Sequence, residues 1–339
     1  MKKEKKKPVI AITMGDPVGI GPEIIVKALS EPMLYEICDP LILGDVRVLS
    51  DTAKWLEAKV ICQDIEKKWN GQYAFGSINV LNLSAIDPIK IKYGEPSPAT
   101  GAAMLHYITK AIDMAMEGAV AAMVTAPINK HAMHLAGFEF EGHTEILAQR
   151  TGSSEYVMML AGEKLKVSLV TIHCALSEVP ARITRENIYK TISITHKAIK
   201  ESFGIDSPRL AVAALNPHAG EKGLFGDEEF RVIMPAIEKA QAAGINAAGP
   251  FPPDTLFYHA CRNAYDAVIC MYHDQGLIPF KMLHFSDGVN ITLGLPIIRT
   301  SVDHGTAYDI AGQGNADAGS LIAAIHMAAR QALLQMERS

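Results

Sequence analysis

Three apolar stretches of the chain each run into a histidine: SLVTIH at 168–173, VAALNPH at 212–218 and VICMYH at 268–273. Neutral imidazole is the commonest metal ligand and suits zinc and its first-row neighbours. Three protein ligands leave a coordination position open for substrate. An ion held that way polarises a hydroxyl or carbonyl oxygen. One histidine at a strand end is more often simply a hydrogen-bonded residue. Three in the same placement point to one shared ion, with His173, His218 and His273 as its ligands and zinc, magnesium, manganese or cobalt as the metal.

Other groups around these histidines suit an anionic substrate. Lys281 follows His273 within a polar, glycine-containing stretch that places a cation shortly after a candidate ligand, and Arg299 sits in IIRTS at 297–301. A guanidinium grips carboxylate or phosphate oxygens bidentately, while an ammonium acts as a point charge. The 216–226 segment, NPHAGEKGLFG, reads as a loop with backbone N–H groups free to bind an anion. His143 and Thr144 offer hydrogen-bonding groups at a helix start, where the alternative role for Thr144 is an N-cap. The 14–23 segment, MGDPVGIGPE, follows a strand and opens a helix. It is neither a dinucleotide fingerprint nor a P-loop, and a tight turn with a well-started helix explains it equally well. The 303–314 segment is too rich in glycine and polar residues for an ordinary strand and reads as a ligand loop that backbone can approach closely.

These residues need elements to hold them. Short apolar, β-branched runs at 9–13, 41–43, 78–81, 120–124, 167–172, 210–215, 267–272 and 289–293 read as strands. Helical patterns at 22–30, 46–58, 100–117, 185–203, 228–243 and 316–336 separate them. Continuous apolar runs joined by helical crossovers indicate mostly parallel sheets with flanking helices, an α/β fold. In such sheets ligands sit outside the carboxyl ends of the strands, where the three histidines fall.

The chain has 339 residues, 49% of them hydrophobic and 20% charged, with a net charge of −5. That length exceeds what one core usually holds, so two lobes are expected. The composition excludes a largely disordered or coiled-coil chain. A mildly acidic balance and 6% aromatics leave no global basic field or stacking surface for nucleic acid. No apolar run is long enough to span a membrane, so a cytoplasmic enzyme is expected, with residues 1–7 as a frayed lysine-rich tail. Five cysteines without a CxxC pair indicate neither a disulfide framework nor a thiolate zinc site.

Several blocks together resemble the 4-hydroxythreonine-4-phosphate dehydrogenase family: MGDPVGIGPE at 14–23, EGHTE at 141–145, NPHAGEKGLFG at 216–226, PDTLF at 253–257, YHDQGLIPFK at 272–281 and VNITLGLPIIRTSVDHGTAYDIAG at 289–312. The HCALSEVP block at 173–180 looks more like the branch acting on 4-phospho-D-threonate and 4-phospho-D-erythronate. The resemblance implies a two-lobed fold similar to isocitrate and isopropylmalate dehydrogenases, with the active site in the interlobe cleft. It implies interleaved lobes at about residues 8–125 plus 285–339 on the cofactor side and 126–284 on the metal and dimer side. It implies a homodimer in which His173 comes from one subunit and His218 and His273 from the other. His143, Thr144, Lys281, Asn290 and Arg299 match substrate-binding positions, and Asp254 matches an acidic residue near the metal. Asp303, His304, Gly305, Thr306, Asp309 and Gly312 would hold NAD, and Lys281 or Asp254 would serve as general base.

The expected activity is metal-dependent, NAD-linked oxidation and decarboxylation of a phosphorylated 3-hydroxy acid. The candidates are 4-phospho-D-threonate, 4-phospho-D-erythronate and 4-phosphohydroxy-L-threonine, within sugar-acid breakdown or pyridoxine synthesis. The alternatives are a dihydrodiol-acid dehydrogenase of the same family and a metal-dependent hydrolase. The chain has no HExxH motif, and its 303–312 loop favours a nucleotide.

Overall fold

The computed structural model describes residues 7–65, 73–140 and 142–338. Glu141 of the EGHTE block and the first six residues lie outside them. Lys7 departs from the expected frayed tail. Its ammonium donates to the Tyr35 carbonyl at 2.6 Å and lies 3.5 Å from the Asp39 carboxylate.

The described residues divide into two compact units: those up to Ser154 together with Leu295–Glu337, and Glu155–Gly294. The first unit therefore continues past residue 125. The segment beyond it folds into two further helices that pack on a helix of the same unit.

In chain order the first unit contains β1 (Val9–Thr13), α1 (Gly21–Ala28), α2 (Pro32–Ile37), β2 (Asp39–Gly44), α3 (Val46–Trp55), β3 (Ile61–Asp64), β4 (Ser77–Asn82), α4 (Pro98–Met116), β5 (Ala122–Thr125), α5 (Lys130–Leu135) and α6 (His143–Thr151). The second contains β6 (Val157–Ala161), β7 (Lys166–Leu169), α7 (Val179–Arg182), α8 (Arg185–Glu201), β8 (Leu210–Ala213), α9 (Met234–Ala242), β9 (Ala247–Phe251), α10 (Pro253–Ala260), β10 (Ala267–Cys270), α11 (His273–Leu283) and β11 (Val289–Leu293). The chain then returns to the first unit with β12 (Arg299–Val302) and α12 (Gly319–Arg338).

The strands of the first unit lie in the order β3-β4-β2-β1-β5-β12, and each of these pairings is parallel. Residues 10–13 of β1 and all of β5 are buried, as strands covered on both faces must be. Helix starts are fixed locally. Asp45 accepts from the N–H groups of Arg47 and Val48 at the start of α3, and Ser97 and Thr100 close a capping box on α4.

The second unit runs β11-β6-β7-β10-β8-β9. Here β6 pairs antiparallel with both β7 and β11, and the remaining pairings are parallel. The β6–β7 hairpin closes through a Gly162 N–H donating to Leu165 O at 2.9 Å. The core of this unit gathers Leu160, Val167, Leu169, Ala211, Val268 and Cys270 from the strands with Leu256, Leu277 and Phe280 from α10 and α11. The polar stretch after His273 is helical. Gly276 lets α11 close onto the sheet, since a Cβ there would meet Cys270 Sγ at 3.0 Å and Leu169 Cδ2 at 3.1 Å.

Candidate active site

In the first unit, three segments that leave strand ends carry the chemistry. The turn after β1 is built around Asp16, which is fully buried. Its Oδ1 accepts from Val18 N–H at 3.1 Å and its Oδ2 from the Tyr308 hydroxyl at 2.5 Å. Gly15 has φ 70°, and a Cβ there would stand 2.3 Å from Pro127 O. Glycine is required on both counts.

Arg299 opens β12 and is buried, donating from Nη2 to Thr125 Oγ1 at 2.7 Å. Burial lowers its pKa to about 9, which leaves it a cation at neutral pH. His143 begins α6, half-buried, with its Nε2 withdrawn from solvent and without a hydrogen-bond partner among the described residues. Burial, and then the charge of Arg299, hold His143 well below the ordinary histidine pKa, so it is a neutral imidazole. Thr144 does not cap α6. The N-cap is Gly142, with no side-chain cap bond. The helix-capping explanation for these two residues falls away, and the first unit holds a cation beside an unsatisfied neutral imidazole.

The 303–312 segment is irregular backbone. His304, Gly305 and Asp309 are exposed, and Asp303 and Thr306 are half-buried. Nothing lies within 4 Å of where a Gly305 Cβ would stand, so a ligand can approach that backbone. Gly312 answers a different need. It has φ 75°, and a Cβ would collide with the Tyr93 ring at 2.3 Å.

In the second unit His173 lies four residues beyond β7, His218 five beyond β8, and His273 starts α11 after β10. Val170 N–H donates to Cys270 O at 2.9 Å, and the Thr171 hydroxyl to Met271 O at 2.7 Å. These bonds lay the His173 segment along the end of β10 and bring the His173 and His273 rings to 5.8 Å between centroids. The sequence reading passed over two anchors. Gln275 accepts from Met271 N–H and donates to Ala214 O, both at 2.7 Å, tying the ends of β10 and β8. Glu229 is buried and accepts from the N–H groups of Leu215 at 2.9 Å and Asn216 at 2.8 Å. Polar side chains several residues beyond a motif, spaced to reach back to it, are the only signal the sequence carries for them.

His218 begins a run of five residues in left-handed conformation: His218, Ala219, Gly220, Glu221 and Lys222, with φ between 39° and 75°. Such a run costs roughly 1–2 kcal/mol per non-glycine residue. Lys281 lies in the last turn of α11, eight residues after His273 and so about 12 Å along the helix axis. Asp254 is exposed in the first turn of α10, and Asn290 is half-buried in β11.

Among the described residues of one chain, no group of three or more His, Cys, Asp or Glu side chains is gathered to hold a metal. The structure brings His173 and His273 together and leaves His218 apart. Those two nonetheless suit a divalent ion. Metal–nitrogen bonds of about 2.0–2.1 Å bring imidazole pairs into such proximity. His273 Nδ1 also lies 2.7 Å from Asp274 Oδ1, the carboxylate–histidine arrangement that orients ligating imidazoles. The pair belongs to one chain, whereas the resemblance divides His173 from His273 between subunits.

The family described as pyridoxal phosphate biosynthetic protein PdxA matches residues 36–328. A protein of Desulforapulum autotrophicum named 4-hydroxythreonine-4-phosphate dehydrogenase is 56% identical over 328 residues, covering 97% of this chain and 96% of that protein. A D-threonate 4-phosphate dehydrogenase of Cupriavidus necator is 44% identical over 326 residues, covering 96% and 97%. A crystal structure of the Klebsiella pneumoniae 4-hydroxythreonine-4-phosphate dehydrogenase is 43% identical, with a TM-score of 0.89, covering 96% of this chain and 98% of that one. Fold and relatives together define an α/β oxidoreductase of the dehydrogenase class. The chain belongs to the PdxA family. Among the described residues, no helix is long and apolar enough to cross a membrane.

Proposed function

We propose that this enzyme oxidises and decarboxylates a small 4-phosphorylated 3-hydroxy acid, using NAD and a divalent metal ion. The observation that carries the reading is the buried Arg299 cation beside the neutral His143, whose Nε2 is unsatisfied. An unsatisfied buried nitrogen costs about 1–3 kcal/mol until a ligand meets it, and a guanidinium close by draws anionic ligands to the same place. A bound phosphate or carboxylate answers both. The names of the relatives supply two candidates, 4-phosphohydroxy-L-threonine and 4-phospho-D-threonate, and the 173–180 block adds 4-phospho-D-erythronate.

When bound, NAD accepts the hydride and the metal ion polarises the substrate oxygen. The chain's own residues do the rest. Arg299, His143 and Thr144 hold and orient an anionic end of the substrate, and Asn290 and Lys281 add a hydrogen bond and a positive charge. Lys281 or Asp254 takes the C3 hydroxyl proton as hydride leaves C3, and the resulting β-keto acid then loses its carboxylate as carbon dioxide. Asp303, His304, Gly305, Thr306, Asp309 and Gly312 border the dinucleotide. His173, His218 and His273 hold the metal.

We further propose that the enzyme is a homodimer and that a second copy completes the metal ligands. One chain gathers two of the three imidazoles. Large apolar side chains also stand exposed close in sequence to each histidine. Leu176 is 70% exposed, Leu224 71%, Met282 82% and Phe285 85%. Large apolar side chains left exposed beside candidate ligands fit a surface that a second copy covers.

The test is a substrate panel of the three phosphorylated acids with NAD and a divalent ion. NADH and carbon dioxide formed together on one of them is the expected result. Phosphate or acid release without NADH would replace the reading with a hydrolase.

A further inference from the structure

Two segments stood out in the sequence for different reasons: the turn at 14–21, whose role was ambiguous, and the glycine-rich loop at 303–312. The structure joins them. Ile20 N–H donates to Thr306 O at 3.1 Å. A Cβ on Gly19 would meet Thr306 at 3.1 Å, so the turn presses directly on the loop. The Tyr308 hydroxyl donates to Asp16 Oδ2, across 292 residues of sequence.

Asp16 has no exposure at all, yet it makes none of the contacts of a helix cap. Its carboxylate is divided between the two segments, one oxygen holding Val18 N–H and the other Tyr308. Tyr308 is half-buried, and both burial and Asp16 raise its pKa, so it remains a donor at every physiological pH. The residues on either side of Tyr308 are the unusual ones. Ala307 has φ 42°, a left-handed conformation, and Asp309 is exposed. A loop with these features does not hold its shape by local propensity; it is held from outside.

We infer that Asp16 and Tyr308 are positioning residues for dinucleotide binding, their hydrogen bond holding the 303–312 loop on the 14–21 turn in the conformation that receives the nicotinamide cofactor. The inference rests on the reading of 303–312 as the dinucleotide loop. It assigns a role to Asp16 within MGDPVGIGPE and separates Tyr308 from the neighbours that touch the cofactor.

The experiment measures NADH binding by fluorescence titration, together with KM for NAD, kcat and Tm, on the metal-loaded enzyme. Tyr308→Phe removes only the hydroxyl. It should weaken NADH binding and raise KM for NAD by about tenfold, the scale of a hydrogen bond to a charged group. kcat should stay within about twofold, and KM for the hydroxy acid should not move. Asp16→Asn keeps an acceptor and should weaken NADH binding less than Asp16→Ala. Adding Tyr308→Phe to Asp16→Ala should change little more, because the bond is already gone. A merely structural role would lower Tm and leave the affinity for NADH unchanged well below it.

Two loop variants, Gly305→Trp and Asp309→Ala, separate this inference from the reading beneath it. If they weaken NADH binding while Tyr308→Phe and Asp16→Asn leave it unchanged, the positioning role is wrong and the loop assignment stands. If neither loop variant affects NADH binding, the loop assignment itself is overturned and the positioning role with it.

Discussion

The two units differ in where their candidate functional side chains stand. In the first, the segments leaving the strand ends are fastened to one another: Asp16 holds Val18 and Tyr308, Arg299 holds Thr125, and Ile20 holds Thr306. In the second, the groups with metal-binding chemistry face outward. His173 and His218 are exposed, and His218 rides on a left-handed turn. The fastened set is complete within one chain, while the exposed set has two imidazoles together and a third apart. Buried polar groups must be satisfied from within. Exposed imidazoles with large apolar side chains nearby in sequence fit the second copy proposed above.

The largest effect should come from the exposed set. His273→Ala or His173→Ala should abolish turnover, and chelation should do the same to the unaltered enzyme. Asp274→Asn, which only disturbs the orientation of His273, should weaken metal binding by about 10–100-fold in a competition titration. Full activity of a metal-free preparation would break the comparison on this side.

The fastened set should respond next. Arg299→Met leaves the substrate anion facing His143 alone and should lower kcat/KM by about 2–5 kcal/mol equivalent, at least about 30-fold, in steady-state assays. The enzyme should remain folded, because the guanidinium itself was costly to bury. An unchanged kcat/KM would remove Arg299 from the site.

These residues were unevenly legible. β1 and β5 could be read directly because a strand covered on both faces must be a continuous apolar run. β6, with the sequence VMMLA, has a single β-branched residue, Val157, too weak a mark to show it as a strand. β12, RTSV, is buried although every residue but the last is polar, so hydropathy hides it. α11 is hard to read because Gly276 and Pro279 discourage helix locally, while close packing on β10 is what demands the glycine. The three histidines stood out by repeated placement. Their separation into two and one depends on Thr171 reaching Met271, a contact spanning 100 residues that no local pattern encodes. The Asp16–Tyr308 bond was hidden for the same reason.

The fastened set also predicts a pH effect. His143 resists protonation in the folded state, and so do His196 and His326, each because of burial. The unfolded chain takes up these protons as pH falls below about 6.5, so stability present above that pH is lost progressively below it. In denaturant titrations between neutral pH and about pH 5, His143→Gln should flatten this loss. An identical slope in the variant would show that His143 titrates freely.

The smallest effect concerns the strained turn. Lys222 has φ 57° and is exposed, so Lys222→Gly should raise stability by about 0.5–1 kcal/mol, left-handed relief less the entropy of glycine. Urea unfolding measures it. A loss of stability would mean that the Lys222 side chain does more than tolerate its backbone.

The contrast between a complete and an incomplete set is tested most directly by mixing inactive variants under conditions of proven subunit exchange and following NADH formation. If His173 and His273 act from one chain and the partner supplies His218, then His173→Ala with His218→Ala restores one intact site per mixed dimer, up to about a quarter of full activity. The pair His173→Ala with His273→Ala should then stay inactive. Recovery in the second mixture would show that those two histidines act from different chains, and no recovery in either would contradict a shared site altogether.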